Sequence, residues 1–195
     1  MTERYSTIAI LLHWLIALLI VGMVGMGLYM TGLPDERMSE KFELYQLHKS
    51  FGVTVLFLSL VRLIWRLTHK PPSLPGHMPD WERFAAKATH WAFYGLMIGI
   101  PLSGWAMVSA SPWNLPTVLF GAIDWPHLPY FSTVADKKAV EGMLKEVHEL
   151  LAFGMLFLLV LHVAAALKHH FINRDNVLCH MLPVVKPREE SGKKQ

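Results

Sequence analysis

Four apolar stretches constrain this chain more than any other feature: roughly Ile8 to Met30, Leu47 to Trp65, His90 to Ala110, and Val147 to Leu167. Each approaches the ~20 residues a helix needs to cross a bilayer core ~30 Å thick. Lipid offers no hydrogen-bond partners, so a spanning segment must satisfy its own backbone, which a helix does. The third stretch contains Pro101, which reads as a kink rather than a break. With 53% hydrophobic and 17% charged residues in 195, the chain is too apolar for a soluble fold of this length. The expected class is all-α, an integral membrane four-helix bundle. The first stretch is too long for a signal peptide, and Thr31-Gly32-Leu33-Pro34 offers no small-residue cleavage site.

Lysine and arginine sort the loops. Arg4, Arg62, Arg66, Lys70, Arg83, Lys87, Lys168, Arg174, Lys186, Arg188, Lys193 and Lys194 fall on one side. Arg37, Lys41, Lys49, Lys137, Lys138 and Lys145 fall on the other. This two-to-one bias predicts both termini in the cytoplasm, in the inner membrane of a bacterium. It also accounts for the pI near 9.0 without a nucleic-acid partner. Residues 1–185 read as one membrane domain and 186–195 as a charged cytoplasmic tail. Lys70 to Pro79 is a stiff Pro-rich connector. The loop from Ser111 to Glu146 carries Trp113, Phe120, Trp125 and Tyr130. It reads either as a lid over the outer end of the bundle or as an aromatic belt at the interface.

Of eleven histidines, two lie 14 residues apart in the last stretch, His148 and His162. At ~100° and ~1.5 Å per residue, both face one side of the helix, roughly 21 Å apart along its axis. Depth pairs His13 with His162 towards the cytoplasm, and His48 with His148 towards the outside. Imidazoles inside a membrane are costly and usually functional. Haem b, held by axial histidines from facing helices, suits such pairs best. Glycines would give a flat macrocycle room: Gly52 on the His48 face, Gly22, Gly25 and Gly27 after His13, and Gly154 between the last two histidines. Zinc or copper suits two distant imidazole pairs less well. Cys179 is the only cysteine, so there is no Cys-x-x-Cys-His attachment and any haem is non-covalent.

The remaining candidates carry alternatives. Arg62 and Arg66, one turn apart, suit haem propionates or snorkel to lipid phosphate. His90 is a propionate partner, an alternative ligand or a helix cap. His169 and His170 either exchange protons with a quinone or are solvated interfacial residues. His69, His77, His127 and His180 read as loop residues.

The chain resembles the bacterial cytochrome b561 family, four-helix di-haem membrane cytochromes, along essentially its whole length. The resemblance rests on Arg4-Tyr5-Ser6 leading to His13-Trp14, Leu47-His48-Lys49-Ser50-Phe51-Gly52, Val61-Arg62-Leu63, and His90 with Pro101. It continues in Lys145-Glu146-Val147-His148-Glu149, Leu161-His162 through Lys168-His169-His170, Asp175-Asn176 and Met181-Leu182-Pro183. By motif, the four haem-ligating histidines of that family fall on His13, His48, His148 and His162. The resemblance also implies exchange of electrons with ubiquinone, and superoxide oxidation on the outer face coupled to quinone reduction has been assigned within the family. Lys49, Lys137, Lys138 and Lys145 would draw a small anion to the outer mouth, partly offset by Asp136, Glu141, Glu146 and Glu149. The expected function is therefore electron transfer between the quinone pool and a donor or acceptor, with lipid, quinone and an outer anion or redox protein as partners. The alternative is a haem-bearing anchor subunit that relays electrons from a partner dehydrogenase or hydrogenase. Whether the chain is itself an enzyme stays open at this point.

Overall fold

The computed structural model describes residues 4–76, 78–182 and 184–185; His77, Pro183 and the expected tail 186–195 lie outside them. Four long helices dominate: α1 (Thr7–Gly32), α2 (Met38–Thr68), α3 (Asp80–Ala110) and α5 (Lys137–Lys168), with α4 a single turn (Pro129–Ser132). All four long helices are long and apolar enough to cross a membrane.

Local chemistry sets their ends. The Ser6 hydroxyl accepts from the Ala9 N–H at 3.3 Å and caps α1. Pro34 follows its last turn and cannot continue it. The Asp136 carboxylate accepts from the Ala139 N–H at 3.0 Å and caps α5. Asp80 and Glu82 stand in the first turn of α3, where the helix dipole favours negative charge. The helix runs unbroken through Pro101. The helices α2, α3 and α5 start at Met38, Asp80 and Lys137, well before the expected Leu47, His90 and Val147. Hydropathy detects only the length of helix that lipid must accept, and these first turns are charged.

The closest helix neighbours are α3 with α5, α1 with α2, and α2 with α3. Large apolar side chains such as Leu11, Leu18, Phe57, Leu150 and Phe157 point outward, as lipid allows. The small interior cluster is Ile16, Tyr94, Met97 and Met155, with Leu58, Leu63 and Phe93 packed around it. Met155 lies seven residues from both His148 and His162, on the same stripe of α5 and midway between them.

The loop between α3 and α5 contains a small antiparallel hairpin, β1 (Thr117–Leu119) and β2 (Ile123–Trp125), in the register Thr117↔Trp125, Val118↔Asp124, Leu119↔Ile123. Three-residue strands are too short to print an alternating pattern in a sequence. Phe120 and Gly121 turn the chain with positive φ, 50° and 70°, as a tight hairpin turn requires. Such a φ is uncommon for phenylalanine. Phe120 is held there by its N–H donating to the Ser50 hydroxyl at 2.9 Å and by its ring meeting Phe51 edge-on at 5.4 Å. The Gln46 amide donates to the Pro116 carbonyl at 3.0 Å, the Trp105 indole to the Pro126 carbonyl at 2.8 Å, and the Leu128 N–H to the Ser109 hydroxyl at 2.9 Å. The loop is thus tied onto α2 and α3 as a lid.

At the opposite end the two terminal segments meet. The Trp14 indole donates to the Met181 carbonyl at 2.8 Å, and Arg4 donates to the Val185 carbonyl at 3.4 Å.

Candidate functional site

Two histidine pairs lie at two depths of the bundle. Near the terminal end the His13 and His162 rings have centroids 6.3 Å apart, inclined at 66°. Near the lid the His48 and His148 rings are also 6.3 Å apart, inclined at 72°. In each pair one ring comes from α5 and the other from α1 or α2. Since α5 packs closely along α3, its histidines are the groups that reach across to the other two helices. The pairing expected from depth is the pairing the fold makes.

The lid-end pair is held from outside. The Nδ1 of His148 lies 3.0 Å from the Ile100 carbonyl and 3.0 Å from the Ser103 hydroxyl, both on α3. A carbonyl oxygen only accepts, so Nδ1 carries the proton and Nε2 keeps its lone pair. At Gly104 a Cβ would lie 3.1 Å from the His148 Cε1 and 3.3 Å from its Nδ1; the ring takes the space that only glycine leaves. At Gly27 a Cβ would make only an ordinary contact, 3.7 Å from the His48 Cε1. Ser103 and Gly104 were not singled out in the sequence. Their only signal there is a small-residue pair just after Pro101, on a helix that contributes neither ring of either pair. Gly52 faces Met23 on α1 at 3.7 Å, whereas a Cβ on Gly22, Gly25 or Gly154 would meet nothing within 4 Å.

The terminal-end pair has a third imidazole beside it. His90 lies 6.0 Å from His162, ring centre to ring centre, and Phe93 packs edge-on against His162 at 5.3 Å. The Arg66 Nη1 is buried with no hydrogen-bond partner among the described residues. Tyr5 neighbours Arg66 and Arg62; burial pushes its phenol above the ordinary range, and the two guanidinium groups pull the other way.

Beyond His162, α5 widens into a π turn, His169–Asn173, closed by Arg174 in the left-handed region at φ 55°. His169 lies one stripe-repeat below His162. Its Nδ1 is 2.6 Å from the buried Asp175 carboxylate, and its Nε2 is 3.9 Å from Glu82 on α3. Lys168 donates to Glu82 at 2.6 Å. His170 packs on Phe171. Among the other histidines, His69 stacks on Trp65 at 3.8 Å, His127 lies in the lid loop, and His180 lies in a 3₁₀ turn, Leu178–His180. Lys49 directs its ammonium to the Pro116 carbonyl at 3.4 Å, so one of the four lysines expected at the outer mouth is engaged with the lid.

These residues suit a haem. Two metal–imidazole bonds of about 2 Å, plus roughly 1 Å from each nitrogen to its ring centre, place two ring centres about 6 Å apart around one metal ion. Both pairs show that separation. Among the described residues no group of three or more His, Cys, Asp or Glu is arranged to hold a metal ion. Two imidazoles suffice when a macrocycle supplies the remaining nitrogens. The buried Nδ1 of His48 has no hydrogen-bond partner among the described residues, and the unpartnered Arg66 nitrogen suits a carboxylate.

A family model described as prokaryotic cytochrome b561 matches residues 4–184. The chain is 36% identical over 181 residues to cytochrome b561 homolog 2 of Escherichia coli (strain K12), covering 92% of each chain. It is 29% identical to cytochrome b561 homolog 1 of the same organism, over 93% of this chain and 98% of that one. It is also 31% identical to a Yersinia pestis protein named "Probable superoxide oxidase CybB", over 94% and 98%. This chain belongs to the prokaryotic cytochrome b561 family, bacterial multi-pass membrane cytochromes of electron transport, and that membership implies binding of haem b.

Proposed function

We propose that the chain holds two b haems, one between His13 and His162 and one between His48 and His148, and that it moves electrons between the quinone pool and a donor on the outer face. The observation that carries this reading is the pair of equal ring separations, 6.3 Å, at two depths. When bound, such haems supply one-electron steps at an iron with no open coordination position, so the chemistry is electron transfer rather than oxygen binding.

The chain's own residues divide the work. Ile16, Tyr94, Met97 and Met155 fill the interior between the two histidine pairs and exclude water there. Arg62 and Arg66 would hold the propionates of a haem at the terminal end, where His90 adds a polar neighbour. With the positive-inside bias, that end is cytoplasmic and the lid is outside the inner membrane. The quinone site adjoins the cytoplasmic end, because quinone reduction takes up two protons with its two electrons. His169, held between Asp175 and Glu82, and His170 beside it line the proposed route to that site. On the outer face, superoxide is a donor that fits the relative's name. Two superoxide anions would each give up one electron and leave as dioxygen, and the two electrons with two protons convert one quinone to quinol. Lys137, Lys138 and Lys145 offer the positive field there.

The experiment is a redox assay on the purified chain. Superoxide should reduce it and ubiquinone should re-oxidise it, with the visible haem bands as readout. Co-purification of a stoichiometric soluble dehydrogenase or hydrogenase that alone can reduce the chain would make it an anchor subunit instead.

A further inference from the structure

The helix α3 contributes none of the four paired imidazoles, yet its backbone and side chains fix one of them. The Ser103 hydroxyl donates to the Ile100 carbonyl at 2.8 Å, and both oxygens lie 3.0 Å from the His148 Nδ1. One N–H is therefore shared between two acceptors, in a site where Ser103 is buried. At Gly104 the absent Cβ lets the ring sit against the helix. The partner ring is held differently: the His48 Nδ1 is buried with no hydrogen-bond partner among the described residues.

We propose that Ser103, with the Ile100 carbonyl, is a positioning residue that sets the tautomer and basicity of His148 and thereby the potential of the outer haem alone. The inference rests on the two-haem reading above. A ligating imidazole that donates its other N–H to a strong acceptor is a more basic ligand, with its ring orientation fixed. A more basic ligand favours the oxidised metal, so the two α3 oxygens hold the outer haem at a lower potential. The terminal-end pair has no contact with Ser103, so the effect is confined to one haem.

The test is a potentiometric titration of purified Ser103→Ala and Ser103→Thr, with the outer haem identified as the one missing from the spectrum of His48→Ala. In Ser103→Ala the outer potential should rise and the inner one stay put. In Ser103→Thr, which keeps the hydroxyl, both should stay near the wild-type values. Selective loss of the outer haem in Ser103→Ala, with retention in Ser103→Thr, would also support the assignment. An unchanged outer potential in Ser103→Ala, equal shifts of both haems, loss of both haems, or a threonine variant that behaves like alanine would overturn it. A wild-type chain that binds one haem or none would contradict the two-haem reading itself, and this inference with it.

Discussion

Gly104→Ala is expected to weaken the outer haem selectively. The new Cβ would stand 3.1 Å from the His148 Cε1 and 3.3 Å from its Nδ1, whereas carbon atoms in ordinary contact prefer about 3.5–4.0 Å. The ring would have to retreat by roughly 0.4 Å or more on that scale. It cannot do so freely, because Nδ1 is tethered at 3.0 Å to the Ile100 carbonyl on the same helix. Overpacking of this kind costs about 1–3 kcal/mol, which as a coupling to ligand binding is about 5- to 150-fold in affinity. Haem titration of the haem-free protein, followed in the visible bands, would measure it. The control is Gly95→Ala on the same helix, where a Cβ meets nothing within 4 Å and helix propensity favours alanine by roughly 0.5–1 kcal/mol. Wild-type affinity at both sites in Gly104→Ala, or loss of the inner haem first, would refute the reasoning.

Met155→Ala, at a side chain 3% exposed, should leave a cavity between the two sites and cost about 2–5 kcal/mol, read as a lower thermal midpoint in detergent. Glu82→Gln should lower stability by about 1 kcal/mol, because the Glu82 side chain is only 13% exposed but its Lys168 partner is 41% exposed and screened by solvent. It should nonetheless slow quinone-dependent re-oxidation several-fold, as stopped-flow absorbance would show; an unaltered rate removes Glu82 from the proton route. Tyr5 makes the chain alkali-sensitive. Its folded-state pKa is raised by burial above the ordinary 10.0, so its contribution is intact below about pH 10 and is lost as pH rises through the folded value. Thermal melts across that range should fall less steeply in Tyr5→Phe.

The sequence revealed most where physics leaves a periodic mark. Lipid demands long apolar runs, and a 14-residue spacing must bring His148 and His162 to one face of a helix, so the bundle and both histidine pairs were legible. The charged first turns of α2, α3 and α5 carry no such mark because water accepts them in any conformation. The β1–β2 hairpin depends on long-range ties to Ser50 and Gln46 that no local pattern records. Ser103 and Gly104 escaped for the same reason. Their role arises from α3 lying against α5, and a serine and a glycine in a membrane helix look like ordinary packing residues.

The most direct measurement is the haem complement and reduced-minus-oxidised spectrum of the four single alanine variants at His13, His48, His148 and His162, each beside wild type by pyridine haemochrome. Wild type should carry two haems per chain. The His13 and His162 variants should lack one and the same haem, and the His48 and His148 variants the other. One haem or none in the wild type, or a shared loss between His13→Ala and His48→Ala, would contradict the arrangement of two metal centres stacked between α5 and its facing helices.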